Sequence, residues 1–262
     1  MRAEGMRARL IPLVLLMTLG AAACGGTRVL AGTRTVARHS TTTTTASTRP
    51  GARGGTQAVG AAVETSSVRV LFVGASVTDG WFASSKAHAY TALVAKGLAE
   101  GRPVQVRVLA RPGVTAEDAA AWNLTAPSDV VVVQIATNDF VRDVPLDRYS
   151  AAYAELLDRL RVASPRAELI CLGAWLDPNG KNRLGVPAVD YDAAARTQCD
   201  AAHGRYVDLS AAYMDAANHG PAGRPTYQGP GDLFHPNDRG HAELASLILQ
   251  ADGIQVSREP AT

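Results

Sequence analysis

The stretch GASVTDG, residues 74–80, follows an apolar run and sets a lone serine, Ser76, where a strand would end and a turn begin. A serine hydroxyl is a weak nucleophile. It needs a base to take its proton, a partner to hold that base in the correct tautomer, and donors for the oxyanion that forms. The residue types for all three recur downstream. LARPGVTAED carries Gly113 in a turn, QIATNDF carries Asn138, and GDLFHPNDRGH sets Asp232 three residues before His235. Taken singly, each has a plainer explanation: Ser76 and Asn138 as turn or cap residues, Gly113 as a positive-φ position after Pro112, Asp232 as a backbone acceptor. Only their combination specifies acyl chemistry.

The elements that would bring them together are legible as alternation. Apolar strands are predicted at VRVLFVG (68–74), VQVRVLA (104–110), DVVVVQI (129–135), ELICLGAW (168–175) and RYVDLS (205–210). Uninterrupted Val and Leu runs predict strands buried on both faces, hence a parallel sheet covered by helices. Helical patterns fall between and after them, at 85–100, 146–162, 190–203 and 238–250. This alternation predicts one three-layer α/β domain. In such a sheet chemistry collects at the carboxyl ends of the strands, where Ser76, Gly113 and Asn138 all fall.

With the residues and their order in hand, the domain resembles the SGNH hydrolases, also called GDSL esterases and lipases. GASVTDG resembles their first block, PGVT the second, ATND the third and DLFHPND the last, in the family's order, over residues 68 to about 250. The resemblance implies a flavodoxin-like α/β/α fold whose five parallel strands run in the order 2-1-3-4-5. It implies Ser76 as nucleophile, His235 as general base and Asp232 as its orienting partner. The oxyanion hole would consist of the backbone N–H groups of Ser76 and Gly113 with the Asn138 side-chain amide. No metal or organic cofactor is implied. Two positions depart from the pattern: Ala75 replaces the aspartate of the GDSL motif, and Ala136 replaces the glycine before the Asn-Asp pair, adding a methyl beside the expected oxyanion site. An α/β-hydrolase nucleophile elbow is excluded, since Gly-x-Ser-x-Gly would need glycine where Thr78 stands.

Other candidates carry less. His241 belongs at the start of the final helix, His203 and His219 have no motif around them, and no H-E-x-x-H supports a metal pair of His235 with His241. Asp139 reads as structural. Trp81, Phe140, Trp175 and Phe234 fall near strand ends, either lining a cleft or packing. The family spans esterases, lysophospholipases, thioesterases, carbohydrate deacetylases and acyltransferases. The expectation is therefore a serine ester hydrolase acting, as a monomer, on a small acyl ester of an envelope carbohydrate or lipid. An inactive binding module and an acyltransferase using the same triad are the alternatives.

The beginning of the chain has a different character. Arg2, Arg7 and Arg9 precede an uncharged run, Leu10 to Leu19, that ends in Gly20, three alanines and Cys24. Residues 1–23 thus read as a secretory signal, whose apolar run from Leu10 to Leu19 is too short for a transmembrane helix. Cys24 after small residues resembles the lipobox of bacterial lipoproteins, with Ala21 where leucine is usual; simple cleavage after Ala23 is the alternative. Residues 24–67, rich in Thr, Gly and Arg, read as a disordered tether, leaving 68–258 as the hydrolase domain. Residues 1–67 hold eight Arg against Glu4 and Glu64, a net of +6; with the whole chain at +2, the remainder carries −4. The domain is thus not basic, which argues against nucleic acid as a partner. Cys171 and Cys199 are either a disulfide of an exported protein or two buried thiols.

Overall fold

The central strands are β1 (Val68–Gly74), β3 (Val130–Gln134) and β4 (Glu168–Leu172), and their side chains alternate between two apolar layers. Val70, Phe72, Val130, Val132, Ile170 and Leu172 face one layer; Leu71, Val73, Val131, Val133, Leu169 and Cys171 face the other. Burial on both faces is why these runs contain no polar alternation. With β2 (Val104–Ala110) and β5 (Arg205–Val207) at the edges, they form a parallel sheet in the order β2-β1-β3-β4-β5. The protein is thus a three-layer α/β/α structure, as expected from the sequence. The computed structural model describes residues 67–99 and 102–251; the expected signal (1–23), Cys24, the tether up to residue 66 and residues 252–258 of the expected domain lie outside the described residues.

Helices α1 (Tyr90–Leu98) and α7 (Asp238–Ala251) pack together over one face, where Tyr90, Val94, Leu244 and Ile248 are buried against Phe72 and Trp175. The other face is covered by α2 (Ala116–Ala120), α4 (Leu146–Ala163) and α5 (Ala188–Ala201), which bury Tyr149, Tyr153, Leu156 and Tyr191. Short helices α3 (Thr137–Val141) and α6 (Ser210–Met214) start just after β3 and β5. Cys171 on β4 and Cys199 on α5 are joined at disulfide geometry, with a Cα–Cα distance of 6.2 Å.

The structure departs from the sequence reading in several places, each with a local cause. The helix expected at 85–100 is a 3-10 turn, Lys86–His88, followed by α1, with Ala89 extended between them (φ −63°, ψ 141°). At the restart the free N–H of Tyr90 donates to His241 Nδ1 (3.3 Å), so α7 caps α1. Past Leu172, Gly173 N–H still donates to the Val207 carbonyl oxygen of β5 (2.9 Å), and the N–H groups then leave the ladder: Ala174 N–H donates to Asp192 Oδ1 (2.7 Å) and Trp175 N–H to Thr137 Oγ1 (3.0 Å), which ends β4. Strand β5 ends at Val207, where Asp208 turns the chain by accepting from Ser210 N–H (2.7 Å). Strand β2 is an edge strand and is not buried on both faces: Val106 is 46% and Val108 41% exposed.

Register sets the site. Gly74, the last residue of β1, pairs with Ala110 of β2 on one side and Gln134 of β3 on the other. The residues that follow all three strands therefore emerge side by side.

Candidate active site

Ser76 sits in the tight turn that follows β1. That turn closes directly on the strand end: a Cβ on Gly74 would stand 1.9 Å from Thr78 Oγ1 and 2.9 Å from the Gln134 carbonyl oxygen, so only glycine fits. Thr78, the residue that breaks the elbow motif, is buried and shares a hydrogen bond with Tyr90 OH (2.9 Å), tying the turn to α1. The turn is held from outside as well. The strands Pro225–Thr226 (β6) and Gly229–Pro230 (β7) form a small hairpin whose tip docks on it. Tyr227 OH and Gln228 Nε2 donate to the Asp79 carbonyl oxygen, at 2.7 and 3.2 Å.

The hairpin leads straight into the Asp232–His235 segment. Asp232 Oδ1 accepts the backbone N–H groups of Phe234 (2.9 Å) and His235 (2.7 Å), folding the segment into a turn. Its Oδ2 accepts from His235 Nδ1 at 2.8 Å. His235 Nε2 then accepts from Ser76 Oγ at 2.9 Å. Burial works to raise the Asp232 pKa, but the hydrogen bonds from His235 and Phe234 outweigh it, and the carboxyl is held below its ordinary value. An ionised Asp232 keeps the His235 proton on Nδ1 and leaves Nε2 free to accept from Ser76.

The opposite wall comes from β2 and β3. Gly113 adopts φ +81° in the turn after β2, a conformation that glycine takes without penalty. A capping box follows at once: Thr115 Oγ1 accepts from Asp118 N–H, and Asp118 Oδ2 accepts from Thr115 N–H (3.0 Å), starting α2 and fixing the turn. Asn138 lies in the first turn of α3 and donates through Nδ2 to the Val114 carbonyl oxygen (3.0 Å), which leaves the second amide hydrogen free. Among the described residues, the N–H groups of Ser76 and Gly113 donate to no protein acceptor. Behind them Asp139 is 1% exposed and accepts Ala116 N–H on both carboxylate oxygens (3.1 and 3.2 Å), clamping α2 to α3.

The two departures from the family pattern fall into the core. Ala75 and Ala136 are 3% and 1% exposed and belong to the layer under α2 and α4. The Ala136 methyl packs within that layer, at the start of α3. Of the aromatic candidates, Trp81 and Phe234 flank His235, with ring centroids 5.4 and 5.1 Å away. Phe82 joins them at 5.0 Å. Phe140 and Trp175 are buried, Phe140 against Tyr191 and Trp175 against Tyr213.

Two further residues position the histidine segment, and no motif announced them. Trp175 Nε1 donates to the Phe234 carbonyl oxygen (2.7 Å), and His219 lies between that same oxygen (Nδ1, 2.9 Å) and the Tyr213 carbonyl oxygen (Nε2, 2.6 Å). His241, expected at the start of the last helix, is fully buried in its first turn. It donates from Nε2 to the Trp81 carbonyl oxygen (3.0 Å) while burial pushes its pKa down to about 4, so it stays neutral. His203 ends α5 in a left-handed conformation (φ 54°). Among the described residues no group of His, Cys, Asp and Glu side chains could hold a metal ion.

Comparison with solved structures finds the same fold in several esterases. An acetylxylan esterase from Geobacillus stearothermophilus superposes with a TM-score of 0.54 at 20% identity, over 74% of this chain and 99% of its own. The esterase EstA from Pseudoalteromonas sp. matches with a TM-score of 0.53 at 13% identity, over 71% of this chain and 96% of its own. A carbohydrate esterase family 2 enzyme from Myceliophthora fergusii gives 0.52 at 17% identity, over 71% of this chain and 67% of its own. At these identities the likeness is one of fold. No curated protein matches the sequence. The sequence profile described as GDSL-like lipase/acylhydrolase matches residues 72–243, which span the Ser76 turn, the Gly113 and Asn138 segments and the Asp232–His235 turn. A match over that span, on this sheet order, establishes that the chain belongs to the GDSL-like lipase/acylhydrolase family, a class of serine esterases.

Proposed function

We propose that the protein hydrolyses a small acyl ester through Ser76, His235 and Asp232. The observation that carries this reading is the unbroken relay from Asp232 Oδ2 to His235 Nδ1 (2.8 Å) and from His235 Nε2 to Ser76 Oγ (2.9 Å). Ser76 Oγ attacks the acyl carbonyl carbon as His235 Nε2 takes its proton. The carbonyl oxygen becomes an oxyanion and accepts from the Ser76 and Gly113 N–H groups and the Asn138 amide. Collapse of the tetrahedral intermediate breaks the ester C–O bond, and His235 returns the proton to the departing alcohol oxygen. Water then attacks the acyl-enzyme with His235 as base, releasing the acid and restoring Ser76. A binding module needs no such relay, and Ala136 is buried in the layer under α2 and α4.

The acyl group is proposed to be small, an acetyl on a carbohydrate or lipid, in keeping with the acetylxylan esterase among the structures that share the fold. Export is proposed on the signal-like sequence of residues 1–23, with Cys24 as the lipidated anchor. The test is a 4-nitrophenyl acyl series from acetate to palmitate. Wild type should turn over the short esters best, and Ser76→Ala and His235→Ala should each lose about 10³-fold or more in kcat. Asn138→Ala should lose about 10²–10³-fold while keeping the wild-type melting curve. Turnover that survives Ser76→Ala would refute the mechanism.

A further inference from the structure

The rim of the site carries positive charge that the relay does not use. Arg142 lies one helical turn after Asn138, and its backbone N–H donates to the Asn138 carbonyl oxygen (2.9 Å), so both side chains leave the same face of α3. The Arg142 side chain crosses back over the oxyanion wall: a methyl placed on Gly113 would stand 3.0 Å from Arg142 Nη2. Arg111 is exposed two residues before Gly113. From there a groove of about 330 Å³ runs along the edge of β2, lined by Arg107, Arg111, Leu109, Trp122 and Asn123.

None of Arg107, Arg111 and Arg142 forms an ion pair among the described residues, although six other arginines do. The carboxylates that face Arg111 and Arg142 are Asp118 and Asp139, and both are committed elsewhere. Asp118 is held in its capping box with Thr115, and Asp139 is buried under Ala116 N–H. Arg111 and Arg142 therefore face solvent at the Gly113–Asn138 wall with their side-chain donors available, while Arg107 Nη2 donates to the Asn123 carbonyl oxygen (3.3 Å). Residues 68–262 are acidic as a whole, at −4, so this positive track is a local feature and not a consequence of bulk charge.

We propose that Arg111 and Arg142 are specificity-determining residues that bind an anionic group, a carboxylate or phosphate, carried by the substrate next to the scissile ester. Guanidinium forks suit such groups because they offer paired donors in one plane. The groove along β2, with Arg107 on its wall and Trp122 as an aromatic surface, takes the next part of the same substrate. This inference rests on the esterase reading and names the kind of ester that the site prefers: one on an acidic scaffold rather than a neutral one.

The test compares 4-nitrophenyl acetate with 5-acetoxy-2-nitrobenzoate, which has the same scissile bond and nitrophenolate with one added carboxylate. In wild type the ratio of kcat/KM for the anionic over the neutral ester should exceed that of Arg111→Gln/Arg142→Gln by about tenfold or more. The loss should fall on the anionic ester, mainly through KM, and 0.5 M NaCl should move the wild-type ratio toward that of the variant. A ratio unchanged by the double substitution overturns the inference, and so does an equal loss of kcat on both esters, which would make Arg142 a support for the oxyanion. Binding of intact 5-acetoxy-2-nitrobenzoate to Ser76→Ala by calorimetry supplies the separate readout. If wild type cleaves neither ester, the esterase reading fails, yet binding that disappears on adding the two arginine substitutions still upholds the anion site. Binding that does not depend on the arginines refutes it.

Discussion

Asp139 stands beside Asn138 in sequence, yet its carboxylate turns inward to hold Ala116 N–H on both oxygens. Burial raises its pKa from 3.8 to about 7, against the hydrogen bond from Ala116 that favours the charged form. The sign of the stability effect follows. The folded protein holds this proton more tightly than the unfolded chain, so the contribution is fully present below about pH 4 and is lost as pH rises through about 7. Asp139→Asn keeps an acceptor for Ala116 N–H and cannot ionise. Urea melts of wild type and variant between pH 4 and 8 should therefore diverge, wild type losing stability with rising pH relative to the variant. Parallel curves would remove the role. At this scale the residues that the sequence points to are those that belong to motifs: Ser76, Asp232 and His235 stand in one hydrogen-bonded relay, with Gly113 in the turn after β2 and Asn138 in the first turn of α3. Trp175 and His219 were not legible, because they act on one carbonyl oxygen, Phe234 O, and a backbone acceptor leaves no mark on the residues that bind it.

Elements were legible in proportion to their burial. Strands β1, β3 and β4 have near-continuous apolar sequences because both faces are covered, whereas β2, VQVRVLA, interrupts its valines with Gln105 and Arg107, an alternation that goes with the partial cover of an edge strand. The short helices α2 and α3 escaped notice because five residues are too few to show a period; α2 exists through its Thr115–Asp118 box. One tie between elements is covalent. The bond from Cys171 to Cys199 joins β4 to α5 across a separation of 28 residues, both partners fully buried. Closing a loop of that length restricts the unfolded chain and is worth about 2–4 kcal/mol. Cys171→Ala/Cys199→Ala should lower the melting temperature by several degrees while leaving KM for 4-nitrophenyl acetate near its wild-type value, since neither cysteine is in the site. A melting temperature equal to that of the wild type would show that the cross-link contributes nothing.

At the scale of the whole molecule, the fold explains why one serine depends on residues more than 150 positions away. The parallel sheet brings the ends of β1, β2 and β3 to one edge through the pairing of Gly74 with Ala110 and Gln134. The β6–β7 hairpin, which no periodicity or motif foretold, then binds the Ser76 turn through Tyr227 and Gln228 and delivers the Asp232–His235 turn to it. Among the described residues, the five strands of the parallel sheet, both helix layers and every residue of the relay lie between residues 67 and 251. Residues 1–67 contribute charge to the chain, a net of +6, but no residue of the proposed mechanism. A protein comprising residues 67–262 should therefore fold with a cooperative thermal transition and hydrolyse 4-nitrophenyl acetate with kcat and KM equal to those of the full chain. It should also bind less to an anionic surface at low salt, because the removed segment carries the excess of arginine. A folded fragment with a reduced kcat would mean that residues before 67 reach the active site, and the relay would then have to be extended to include them.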